Sequence, residues 1–324
     1  NPRAYSKNFF AFTFSFKGDG WDDIIIIGFP GEDTSWYENP RRKETADGHW
    51  ARHKVFNVTD GESAGFVDLF GTGKPVLLCA TGGKFGYATP DYSAPEKPWA
   101  FHPISPDKKY QRFTHGQGFG DVNGDGRNDI LVQNGWYEQP AKLDGDPEWV
   151  FHKVDFGQGG AQMYVYDVNG DGRNDVISSL QAHGYGLAWF EQKADGSFEK
   201  HIIVGNKPEE NPQGVEFTEM HAIDLIDING DGLKDIVTGK RHFAHAAHGD
   251  PEAMAPSVLY WFELKRANGK AEWIAHLIDN DSGVGTQVIA RPINGDKRPA
   301  IVIGNKNGTF VFTQQNEKAA SAAK

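Results

Sequence analysis

Three short segments of this chain carry oxygen donors at a spacing that ordinary turns do not need. They read Asp121-Val-Asn-Gly-Asp-Gly-Arg-Asn-Asp129, Asp167-Val-Asn-Gly-Asp-Gly-Arg-Asn-Asp175 and Asp227-Ile-Asn-Gly-Asp-Gly-Leu-Lys-Asp235. Side-chain oxygens fall at loop positions 1, 3, 5 and 9, and glycine at position 6 permits a sharp turn. A helical calcium loop would add a bidentate glutamate at position 12, where this chain has Val132, Ser178 or Thr238. The loops are therefore expected to join strands. Their candidate ligands are Asp121, Asn123, Asp125 and Asp129, then Asp167, Asn169, Asp171 and Asp175, then Asp227, Asn229, Asp231 and Asp235. Hard oxygens on a flexible loop favour Ca²⁺ over Mg²⁺. The ion would be structural, neutralising clustered carboxylates and pinning a long turn. The competing reading is that Asp, Asn and Gly simply make good turns. In a weaker copy at 15–23, Ser15 and Lys17 replace two ligands, and the copies at 68–76 and 292–300 are expected to have lost the metal.

The second constellation is histidine. Five of the 12 histidines follow an aromatic residue by three positions: Trp50/His53, Trp99/His102, Trp149/His152, Phe198/His201 and Trp273/His276. They are expected to be structural residues of outer strands. Six others, His115, His183, His221, His242, His245 and His248, fall in segments that precede first strands or follow second strands. Several imidazoles converging there could form a metal site, with Zn²⁺ or Mg²⁺ as the ions considered, or supply a general base. His115, His183 and His221 lead because they come from three consecutive repeats and sit next to the central strands. His245 and Tyr185 join them. Lys240 and Arg241 suit an anion such as a carboxylate or an enolate. Tyr87, Tyr164, Tyr185, Phe9 and Phe10 could stack on sugar rings or serve the core.

The elements that must position these residues are repeats. Trp36-Tyr-Glu38, Trp136-Tyr-Glu138, Trp189-Phe-Glu191 and Trp261-Phe-Glu263 recur downstream of the acidic loops, and Trp50, Trp99, Trp149 and Phe198 are spaced by 49, 50 and 49 residues. Each unit reads as four short strands rich in β-branched and aromatic residues; in the third they are 116–121, 129–133, 135–138 and 149–154. No sustained 3.6-residue apolar period appears. Four strands in about 50 residues is the arithmetic of a β-propeller blade. The fold class is all-β, a single propeller domain over 1–314 with a flexible tail at 315–324. Six repeats are visible and the sixth stops after its third strand, 308–313, so six and seven blades both remain open. Acidic loops between first and second strands then share one face, and the histidine-bearing segments share the opposite one.

The acidic repeats, the Trp-Tyr/Phe-Glu strands and the segment His221-Ala-Ile-Asp…Thr238-Gly-Lys-Arg-His-Phe-Ala-His245 resemble the FG-GAP/VCBS repeat propeller family over nearly the whole chain. Within it, the chain is similar to secreted bacterial proteins related to the propeller domain of aldos-2-ulose dehydratase. That resemblance implies seven blades, with one repeat upstream of Asn1. It also implies a divalent-metal-assisted β-elimination of water from a keto-sugar.

Composition narrows the partners. With 33 basic against 44 acidic residues the net charge is −11, which argues against nucleic acid. No apolar run reaches the roughly 18 residues that span a bilayer, and Cys79 is the only cysteine, so disulfide frameworks and Cys-rich zinc sites are excluded. A Walker loop, a nucleophile elbow and a His-Glu-x-x-His motif are all missing. Reliance on calcium points to a secreted or periplasmic protein, and a start at Asn1 to a processed or trimmed chain. Two functions fit: a lyase or dehydratase acting on an oxidised carbohydrate, or a calcium-stiffened module that binds a protein or glycan without chemistry. Oligomeric state is not encoded in any of these signals.

Overall fold

Alternating apolar and polar residues dictate strands, and strands are what form. The computed structural model describes residues 6–43, 45, 48–293, 295 and 297–315. Its described elements are 22 β-strands and two single 3₁₀ turns, Pro208–Glu210 and Ala246–His248. The chain packs as two compact units, one within Ala4–Gly159 and the other beginning at Gly160.

In the first unit, Asn8–Phe14, Asp23–Gly28, Glu32–Glu38 and the start of Ala51–Val67 pair antiparallel in sequence order. The 17-residue strand Ala51–Val67 serves twice, because its end begins the next sheet with Val76–Thr81, Lys84–Thr89 and Ala100–Pro103. A third sheet follows as Gln117–Gly120, Asp129–Val132, Gly135–Glu138 and Val150–Lys153, within a residue or so of the expected strands. The second unit repeats the pattern twice. First come Gln162–Tyr166, Asp175–Ser179, Leu187–Gln192 and Phe198–Val204, then Ile223–Ile226, Asp235–Gly239, Leu259–Ala267 and Lys270–Asp279. Val288–Pro292, Pro299–Asn305 and Gly308–Phe312 form a last sheet of three strands, as the truncated sixth repeat predicts. Residues 316–324 of the expected C-terminal tail, and Asn294 and Asp296 in the last loop copy, lie outside the described residues.

Second strands read as continuous apolar runs because they are covered on both faces. Asp175–Ser179 and Asp235–Gly239 are buried at every residue. Around them Trp189, Phe217, Phe262 and Trp273 build one core, and Val237, Val288 and Ile303 another. In the other unit the cores gather on Trp36, Phe66 and Trp99, and on Leu78, Tyr137 and Trp149.

The aromatic-x-x-histidine pattern has a cross-strand explanation. Trp136 on a third strand sits directly opposite His152 on a fourth, and residues opposite one another in a sheet share a face. Their rings stack at 4.0 Å and 13°. Glu138, two residues on and therefore on the same face, accepts from or pairs with His152 Nε2 at 2.7 Å. The trio recurs as Trp189–His201–Glu191, Trp261–His276–Glu263 and Trp36–His53–Glu38. In the second sheet Tyr87 replaces Trp against His102, whose carboxylate partner is Asp146. A double-mutant cycle between Glu138 and His152 is expected to give a coupling of about 0.5–1 kcal/mol, as for a half-exposed pair. Coupling indistinguishable from zero would mean that stacking alone keeps the histidine.

Candidate functional site

In each full acidic loop the first aspartate caps its own turn. Asp121 accepts the backbone N–H groups of Gly124 at 2.7 Å, Asp125 at 3.0 Å and Gly126 at 2.8 Å. Asp167 and Asp227 do the same for their loops. Glycine at position 6 is required, since Gly126, Gly172 and Gly232 have φ of 85°, 86° and 90°. Asn123, Asn169 and Asn229 accept from the amide two residues on. The position-5 carboxylates meet cations: Asp125 pairs with Arg127, Asp171 with Arg173, and Asp231 with Lys265 at 3.5 Å.

Position 9 turns inward. Asp129 is wholly buried and accepts one amide on each oxygen, Val122 at 2.9 Å and Gln139 at 2.9 Å. Asp175 and Asp235 repeat this with Val168 and Gln192, and with Ile228 and Leu264. Asp23 does so in the weak first copy. These carboxylates clip the loop to the end of the third strand. Burial, opposed by those amides and assisted by the neighbouring loop aspartates, pushes Asp129, Asp175 and Asp235 up to about 6.

The donor set at positions 1, 3 and 5 is hard oxygen and fits Ca²⁺ chemically: the position-1 Oδ2 accepts one amide and keeps a second lone pair, whereas its Oδ1 already accepts two. The turn also closes without those donors. Asp68 caps Thr72 and Gly73 at 2.9 Å each, in a loop whose positions 3 and 5 are Phe70 and Thr72.

The imidazole cluster forms in the unit that begins at Gly160. The loop after Asp175–Ser179 carries His183 and Tyr185, the linker before Ile223–Ile226 carries Glu219 and His221, and the long loop after Asp235–Gly239 carries Lys240 to Asp250. The His183 ring lies 4.5 Å from that of His245 and 5.4 Å from that of His221. Asp250 stands between the first two: its carboxylate is 3.5 Å from His183 Nδ1 and 3.0 Å from His245 Nδ1. One donor atom from each of His183, His245 and Asp250 lies within 4.8 Å of the others. The Asp250 side chain is 4% exposed against 46% for His245, and its Oδ2 meets no hydrogen-bond donor of acceptable geometry.

Beside this group lies a buried ion pair. Lys240 Nζ bonds Glu219 Oε1, and both side chains are 1% exposed. Burial raises the Glu219 carboxyl above its ordinary range although Lys240 opposes the shift. Arg241 is 3% exposed. Lys306 donates to the carbonyls of Phe243 and Ala244 at 2.8 Å each, and burial, with Arg241 nearby, lowers its pKa. His242 Nδ1 meets Ser257 Oγ at 2.8 Å, and burial keeps its imidazole below the usual range. Tyr185 is half-buried, and desolvation with Glu252 alongside raises its hydroxyl.

Of the residues expected from sequence, the fold gathers His183, His221, His245, Lys240 and Arg241 around these loops. His248 is exposed on a 3₁₀ turn. His115 belongs to the other unit, where its Nε2 lies 3.4 Å from Glu62 Oε2. Sequence reasoning missed Asp250. Its only signal is a carboxylate five residues after His245 in an insertion rich in histidine.

Residues 167–238 match the family model of the FG-GAP-like repeat, a span that holds two of the three full acidic loops. No curated protein matches the chain. Among solved structures it is similar to an Agrocybe aegerita lectin described as recognising non-reducing terminal N-acetylglucosamine. Identity is 15%, over 92% of this chain and 74% of that one, with a TM-score of 0.54. It is also similar to BBS1N, solved in complex with ARL6DN, at 12% identity over 96% of this chain and 81% of that one, with a TM-score of 0.51. At such identities the likeness is one of fold. The chain is an all-β module of the β-propeller type carrying FG-GAP-like repeats. No helix among the described residues is long and apolar enough to cross a membrane.

Proposed function

We propose that this propeller module is a metal-assisted carbon–oxygen lyase that removes water from a keto-sugar or a similar oxidised carbohydrate. The observation that supports this most is the grouping of His183, His245 and Asp250 donors within 4.8 Å, beside the buried cations Lys240 and Arg241. Two imidazoles and a carboxylate are a ligand set for Zn²⁺ rather than for Mg²⁺, which prefers oxygen and water. Asp250 fits such an ion because its carboxylate is 4% exposed and stands between the two imidazoles, 3.5 Å from His183 Nδ1 and 3.0 Å from His245 Nδ1. A bound divalent ion would polarise the sugar carbonyl and so acidify the neighbouring C–H. His221, the clustered imidazole not called on to hold the ion, would take that proton. Arg241 would bring positive charge that favours a developing enolate, while Lys240 is already paired with Glu219. The protonated histidine then returns that proton to the β-hydroxyl, which leaves as water as the C–O bond breaks and the conjugated enone forms. Calcium in the three acidic loops would stiffen the scaffold away from this chemistry, consistent with a secreted or periplasmic setting.

Incubation with a panel of keto-sugars, followed by ultraviolet absorbance, tests the reading. An enone chromophore is expected, abolished by EDTA, restored by Zn²⁺, and reduced at least about 100-fold in kcat by Asp250→Asn, as for loss of a metal ligand. Absence of turnover across the panel sinks it. The second reading, a non-catalytic glycan-binding module, draws on the fold shared with the Agrocybe aegerita lectin. It would be favoured by glycan-array binding that survives EDTA and yields no product.

A further inference from the structure

Glu219 occupies a position where glycine would be the less costly residue. Its φ is +60°, a left-handed conformation that costs a non-glycine residue free energy. It is also 0% exposed. This chain uses glycine freely, with 39 in all, and places it at most of its left-handed positions. A buried glutamate in this conformation must be held there by its surroundings.

The Glu219 amide donates to the carbonyl of Gly184, next to His183, at 2.8 Å. Its carbonyl accepts both the His221 amide at 2.8 Å and the Arg241 amide at 2.9 Å. Its carboxylate pairs with Lys240 in full burial. One residue therefore ties together the three segments that carry His183, His221 and the Lys240–Arg241 pair. The left-handed backbone lets a single carbonyl face two amides while the side chain reaches the ammonium. Glu219 Oε2 remains buried without a donor, so the pair is not a saturated structural network.

We infer that Glu219 is the positioning residue of this site: it pairs with Lys240 away from water and fixes the backbone from which His221 and Arg241 project. Its effect on turnover rests on the lyase reading above, but its effect on Lys240 does not. Without the carboxylate, a 1%-exposed ammonium loses its counter-ion and desolvation favours the neutral amine.

Glu219→Gln keeps the side chain's shape and removes its charge, and Glu219→Gly removes the side chain and relieves the left-handed strain, so at least one folded variant is expected. In ¹⁵N-lysine NMR spectra at neutral pH, the Lys240 ammonium signal, assigned with Lys240→Arg, should be present in the parent protein and lost in both variants. With an active keto-sugar, kcat should fall at least 100-fold while KM stays within threefold, and Glu219→Asp should recover part of the loss. A Lys240 signal unchanged in Glu219→Gln overturns the inference, and so does turnover within threefold of the parent. If the parent turns over no keto-sugar, the lyase reading fails and the Lys240 signal alone decides this one.

Discussion

Replacing Lys240 with methionine is expected to lower the unfolding free energy by about 3–5 kcal/mol, the range for removing one partner of a buried ion pair. Lys240 and Glu219 are each 1% exposed, so methionine would leave a carboxylate with neither water nor a counter-ion. Domains of this kind have only about 5–15 kcal/mol to lose, and urea denaturation at pH 7 should show a large fall in midpoint. The Glu219→Leu/Lys240→Met pair is expected to recover most of that loss, because apolar replacements of buried ion pairs are often neutral. The exposed pair Lys17–Glu38 provides the contrast, with an effect at most near 1 kcal/mol. A Lys240→Met cost below about 1 kcal/mol would show that water reaches the pair in solution.

The second large effect is expected at position 9 of the acidic loops. Asp175→Ala removes the acceptor of both Val168 and Gln192 amides, at roughly 1–3 kcal/mol for each buried donor left unsatisfied. The pH dependence carries a definite sign. The folded-state pKa of about 6 lies above the ordinary value of 3.8. The contribution of this group is therefore fully present below pH 3.8 and lost as pH rises through about 6. Denaturation curves of calcium-free protein between pH 4 and 6.5 should fall less steeply for Asp175→Asn than for the parent. Added Ca²⁺ should offset part of the parent's loss at the upper end of that window, since a cation bound in the loop favours the ionised form. Equal slopes in parent and variant would place the titration elsewhere.

The acidic loops illustrate how far residue spacing can be read. Spacing identified the turns and their glycines, because a left-handed glycine is a local event; it read the first aspartate as a metal ligand, and the fold shows that residue capping its turn. Spacing also assigned Asp129, Asp175 and Asp235 to the same oxygen set as Asp121, Asp167 and Asp227. The fold shows position 9 accepting amides that lie 7 to 29 residues away along the chain, a task no local pattern announces. The outer-strand histidines were legible for the opposite reason: the Trp-x-Glu and aromatic-x-x-His periods place all three side chains on one face of adjacent strands.

Strand periodicity, repeat length and turn chemistry thus sufficed, read along the chain, for an all-β fold of six repeats, a short last sheet and loops bearing the clustered histidines. These depend on neighbours within a few positions. Which loop residues become a site was decided only in three dimensions. Glu219 meets Lys240 because the consecutive strands that follow and precede them pair antiparallel, and His183 meets Asp250 because loops of neighbouring repeats come together. Burial then turned ordinary charges into a tightly held pair, because loss of water strengthens an attraction that the sequence leaves unspecified.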